Sequence, residues 1–97
     1  MDEISKVSDP QIVKKNLNTY LGKETDLFLS SRKNKKYMVF DKNKFQVHFG
    51  DIRYEDFTKH QDIDRQRNYL ARATRIKGDW KKNKYSPNML SINLLWK

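Results

Sequence analysis

Apolar and polar positions recur along this chain in two rhythms, and each rhythm marks an element. Ile12, Val13, Leu17, Tyr20 and Leu21 follow near-helical spacing behind Asp9-Pro10, a capping side chain with proline at the first helical position, and Gly22 closes the run. The pattern predicts an amphipathic helix over residues 10–21 with its apolar stripe on a core. Residues 1–8 have no such period and are expected to form a flexible tail.

The second rhythm has a period of two. Phe45-Gln46-Val47-His48-Phe49 alternates as a half-buried strand does, and Asp41-Lys42-Asn43-Lys44 is a four-residue turn that joins it to a strand over Lys36 to Phe40. Phe45, Val47 and Phe49 are expected to face the core, with Gln46 and His48 outward and Gly50-Asp51 as the stop. The short apolar run Leu27 to Leu29 is a candidate third strand. Between it and the hairpin lies Ser30-Ser31-Arg32-Lys33-Asn34-Lys35-Lys36, a basic loop too polar to bury.

Helical spacing returns after Gly50. Tyr54-Glu55-Asp56-Phe57 suggests a short helical turn, and residues 61–77 a long helix ended by Gly78. At about 100° per residue, Ile63, Tyr69, Leu70, Ala73 and Ile76 share one face, and Arg65, Asn68, Arg72 and Arg75 the opposite one. The last segment, Met89 to Trp96, reads two ways. Ser86-Pro87 is a helix start, while Leu90, Ile92, Leu94 and Trp96 also alternate as in a strand. There is no internal repeat and no Gly/Ser linker. The expected fold is α+β in one small domain: an N-terminal helix, an antiparallel hairpin or three-stranded sheet, one long helix packed on it, and a short C-terminal helix or strand.

Composition adds constraints. Ninety-seven residues suit one domain with a thin core. The chain has no cysteine, which excludes disulfides and thiolate metal sites. The lack of cysteine fits cytosol or nucleus, and the polar, acidic N-terminus and the lack of a long apolar run argue against secretion and against a membrane span. Charge changes the picture most. The net charge is +9; residues 1–32 carry five basic and five acidic side chains and residues 33–97 sixteen and seven, so the excess lies wholly in the second part. A polyanion or an acidic protein surface is the partner such a field attracts.

Three constellations carry candidate chemistry. The first is basic with interleaved aromatics: Lys33, Lys35 and Lys36 in the loop, Arg65, Arg72 and Arg75 on the long helix, then Lys77, Trp80, Lys81, Lys82 and Lys84. Cations would take phosphates, and Trp80 would stack on a base. Solubility alone would also explain a lysine-rich surface, and Asp62 and Asp64 stand close enough in sequence to pair with Arg65 and Arg67. The second groups His48, His60, Asp51, Glu55, Asp56 and Asp62, as a metal or hydrolytic site would. It has no ligand spacing of known type, and helix capping already explains acids at a helix start, so no catalytic residue, metal or cofactor is expected. The third is the apolar C-terminal run, which is either core or, through Met89, Leu95 and Trp96, an anchor into a partner protein.

Tyr37, then Val47-His48-Phe49-Gly50, Tyr54-Glu55-Asp56-Phe57-Thr58-Lys59-His60, then Arg65, Arg67, Tyr69 and Arg72, and finally Ser86-Pro87 with Leu94-Leu95-Trp96 form an ordered series. This series resembles a family of small basic uncharacterised proteins encoded by giant and other large DNA viruses and some phages. The resemblance runs over residues 36–96 and leaves out the N-terminal helix. It implies a viral origin and transfers no activity. The expectation is a nucleic-acid-binding protein that packages a genome or assists its replication. The alternative is a minor virion component docked on an acidic protein surface. The sequence leaves the oligomeric state open.

Overall fold

The structure is a computed structural model that describes residues 2–97, with side chains from Ile4 onward. Helix α1 (Asp2–Ser5) is followed by α2 (Pro10–Leu21). The α2 start is set as expected: the Asp9 carboxylate accepts from the backbone N–H groups of Gln11 and Ile12, and Pro10 has no N–H to satisfy. Its end is Gly22, at φ 73°, whose N–H returns to the carbonyl of Asn18. Val13 and Leu17, one turn apart, are fully buried.

The expected tail is not a tail over the described side chains. Ile4 is 3% exposed and joins the core, Ser8 is buried, and the Val7 carbonyl accepts from Asp56 N–H at 3.0 Å. Too few residues precede α2 for a period to declare itself, so the burial of this segment is set by distant partners. Met1 lies outside the described residues.

Three antiparallel strands form one sheet in the order β1 (Phe28–Leu29), β2 (Lys35–Phe40), β3 (Gln46–Asp51). Tyr37 pairs with Phe49 and Val39 with Val47, so these four share a face, and that face meets the core. The turn between the strands is held by Asp41, whose carboxylate accepts from the N–H groups of Asn43 and Phe45. Two expectations for the sheet fail. Phe45, assigned to the core, is 69% exposed, because it sits in the turn beyond Val39–Val47, the last apolar pair packed on the core. His48, assigned to solvent, is buried on the opposite face: Ser30 bonds its Nδ1 at 2.6 Å and Gln46 its Nε2 at 3.3 Å.

Beyond the sheet lie α3 (Phe57–His60), α4 (Ile63–Ala73), a 3₁₀ turn (Trp80–Lys82) and α5 (Pro87–Leu90), which continues as a π-helical turn over Ser91–Leu95. The short turn expected at Tyr54 to Phe57 starts later, with Asp56 as its cap. Helix α4 also stops four residues before the expected end. There the Thr74 hydroxyl bonds back to the Leu70 carbonyl and the Asn88 amide takes the Ala73 carbonyl. The C-terminal run is helical, with Ser86 capping Met89 N–H, and it places Leu90, Leu94 and Leu95 in the core beside Val13, Leu17 and the sheet. Gly50, at φ 83°, allows this approach, since a Cβ there would come within 2.9 Å of the Leu95 side chain. The fold is therefore the expected α+β domain, with α2 and α5 supplying the apolar layer over the sheet. Helix α4, expected in that layer, has only Ala73 fully buried, and its Ile63 is 53% exposed. No described helix is long and apolar enough to cross a membrane.

Candidate nucleic-acid interface

An open cleft of about 1370 Å³ lies between α4, the Lys35/Asp51 end of the hairpin, the 3₁₀ turn and α5. Its α4 wall follows from spacing. Arg65, Asn68, Tyr69 and Arg72 stand three or four residues from a neighbour on the helix and so share one stripe, the seam between the apolar and cationic faces, and Ile76 adds to the wall from the turn beyond it. The wall is held off the body by Trp96, whose ring stacks on Tyr69 at 4.2 Å and 9° between planes and also meets His60. The Gln66 amide donates to the Trp96 carbonyl at 2.9 Å. Trp80 enters on the turn, fixed by its indole N–H to the Ile76 carbonyl at 2.7 Å.

The cleft gathers part of the sequence-predicted set: Lys35, Lys36, Arg65, Arg72 and Trp80. Lys36 is not free to meet a phosphate. Its side chain is buried and its Nζ bonds Asp56 at 3.0 Å, so its charge is neutralised within the fold; burial is also the main cause of its lowered pKa. Arg65 reaches Glu55 only at 3.8 Å, with both side chains largely in solvent, a weak pairing. Among the described residues Lys35 and Arg72 form no ion pair. The nearby Asp51 carboxylate is taken by Arg53 through two hydrogen bonds, which hold its pKa at about 2. Asp62 caps α4, and neither it nor Asp64 pairs with an arginine among the described residues.

The other predicted cations lie outside the lining. Lys33 is exposed in the β1–β2 loop, and Arg75 and Lys77 are exposed beyond the end of α4. Lys81 lies over the Trp80 ring at 5.4 Å, Lys82 is 4.0 Å from Asp79, and Lys84 lies over the Tyr20 ring, on the α2 side. Sequence reasoning missed Tyr54, which lines the cleft and is 61% exposed, and it missed Asn68 and Asn88 as polar lining groups. The i, i+3 and i+4 spacing of Arg65, Asn68, Tyr69 and Arg72 was the available signal.

The other two constellations come apart. Asp56 is fully buried against Lys36 and Thr58, His48 lies on the outer face of the sheet, and Asp62 caps α4. Among the described residues no three His, Asp or Glu side chains are gathered to hold a metal ion. Of the proposed protein anchor, Leu95 is 1% exposed in the core and Trp96 is occupied by Tyr69, so the apolar run is spent on the fold.

Residues 26–73 are similar to a family of unknown function, DUF5754, a stretch that covers the sheet, α3 and α4 and leaves out α2 and α5. No curated protein and no solved structure matches the chain.

Proposed function

We propose that the protein binds nucleic acid through the phosphate backbone, with the α4 cleft as its principal contact surface. The observation that carries this reading is the convergence of Lys35, Arg65 and Arg72 on one open cleft that also holds Tyr54 and Trp80. Arginine suits phosphate through its planar fork, and ring faces suit bases or sugars. Arg72 and Lys35 take phosphates, Arg65 exchanges Glu55 for a third, and Trp80 and Tyr54 lie against the sugar-base side. Lys81 and Lys82 extend the field along the turn that carries Trp80. In the viral setting that the sequence resembles, such a protein neutralises packaged genome or assists replication in the host cell or the particle.

The test is binding of the full chain to labelled single- and double-stranded DNA and RNA over a salt series. About three contacts give a log-log slope of roughly −2.7 on duplex DNA. Joint replacement R65E/R72E should abolish binding at moderate salt while the melting temperature holds. Intact binding in that variant, or no binding by the parent at low salt, would overturn the reading. Capture of an acidic virion protein that survives nuclease and high salt would favour the docking alternative.

A further inference from the structure

The sheet has a second face, which the core layer reaches at its Lys36/Gly50 end, where Leu95 approaches Gly50, and leaves open toward the hairpin turn. Strand alternation puts Met38 and Phe40 opposite to Tyr37 and Val39, and the β1 register, Phe28 against Met38, brings Phe28 to the same side. Across from them on β3 stand His48, paired with Met38, and Gln46, paired with Phe40. Phe28 is 40% and Phe40 43% exposed, and their rings meet edge to face at 5.6 Å, which holds both upright in solvent. Toward the hairpin turn the face presents Phe28, Met38, Phe40, Gln46 and His48 and no carboxylate; at its other end Lys36 is buried on the Asp56 carboxylate. Cations stand at both ends. Arg32 follows β1 and lies close enough to His48 to lower its pKa, and Lys42 and Lys44 occupy the hairpin turn beside Phe40. All three are exposed and form no ion pair among the described residues.

Two exposed rings between unpaired cations match an unpaired nucleobase strand better than a protein. The rings offer π faces, and the cations supply phosphate contacts at both ends of the row. A duplex cannot use the rings, because its bases are already stacked. A second copy would bring like charges together at both ends.

We infer that this open face is a base-stacking platform for single-stranded nucleic acid, with Phe28 and Phe40 receiving bases and Arg32, Lys42 and Lys44 holding the flanking phosphates. The inference rests on the nucleic-acid reading and narrows it to the single-stranded form. The experiment compares a thymine oligonucleotide with a duplex of equal length on the full chain, on F28L/F40L, and on F40W. The leucine pair keeps the apolar surface and removes the π faces, and its melting curve establishes that it folds. Single-strand affinity should fall about tenfold or more in F28L/F40L, with duplex affinity unchanged. The fluorescence that F40W adds over the parent, whose Trp80 and Trp96 it retains, should be quenched by the single strand and not by the duplex. If F28L/F40L binds the single strand as the parent does while R65E/R72E has lost it, the platform is wrong and the cleft reading stands. If the parent binds neither nucleic acid, both fall. If the leucine pair instead turns a dimer into a monomer in sedimentation, the face belongs to a second copy and the platform is again wrong.

Discussion

Lys36 and its neighbour Lys35 serve opposite ends in two parts of this molecule. Under the N-terminal segment Lys36 closes a relay: Tyr37 donates to Ser8 at 2.7 Å, Ser8 to Thr58, and Thr58 to Asp56, whose other oxygen is met by Lys36. Each proton has a fixed direction, because Thr58 gives its only hydrogen to the carboxylate and accepts from Ser8 and from Asp9 N–H. In the α4 cleft charges are left open instead, with Arg72 and Lys35 free of ion pairs among the described residues and Arg65 loosely held. Charges closed on one another fix where segments go, and charges left open remain for a partner. Position and burial, rather than residue type, separate the two uses.

That comparison can be broken from either side. The largest effect belongs to Asp56→Ala, which leaves the buried Lys36 ammonium without its counter-charge and Thr58 without its acceptor; about 3–5 kcal/mol of stability should be lost in urea unfolding. A loss under about 1 kcal/mol would mean that water already serves the pair. Next comes Gly50→Ala, where the new methyl meets Leu95 and Lys36 and the backbone holds φ 83°, for a cost of about 1–3 kcal/mol by the same measurement. A neutral result there would show that α5 can shift away from the sheet.

Acid should act more gently. Burial and then Arg32 and Lys35 lower the pKa of His48; burial and then Arg65 lower that of His60, partly offset by Glu55, Asp62 and Asp56. His60 Nδ1 also accepts from Asp62 N–H at 2.9 Å, a bond that protonation there would remove. The unfolded chain therefore takes up protons first. The stability from these rings is full above about pH 6.5 and is lost as pH falls through the lower folded-state values. Unfolding midpoints at about pH 7.5 and pH 5 should differ in that direction, and His48→Gln should shrink the difference. Equal midpoints would show that neither ring is strained by its surroundings. The smallest effect on stability is that of Arg72→Glu, no more than about 0.5 kcal/mol, although nucleic-acid binding should weaken measurably in the same protein. A large fall in stability would move Arg72 from the open set to the closed one.

What could be foreseen from the sequence was local. Asp9-Pro10 and Gly22 bracket α2, and the alternation around Val47 marks the hairpin, because caps and periods act over a few residues. His48 and Phe45 were misplaced because alternation gives the parity of a face and says nothing about what covers it or how far the cover reaches. The relay joins residues 50 apart, Ser8 and Thr58, and leaves no local trace beyond the Asp56 cap. The cleft was half visible. Its arginines stood out by charge, while Tyr54 and the Trp96–Tyr69 stack depend on how α4 docks, which only the folded chain decides.

The meeting of α2 with α5 also bears on how fast this protein folds. Asn16 donates to the carbonyl of Leu94, 78 residues away, and Tyr20 to that of Lys84, 64 away. The hairpin, closed by a short turn, is free to form on the microsecond scale, but the core cannot seal until two distant helices find each other over it. Folding of this small domain should therefore be slow for its length, with the α2–α5 contact formed late.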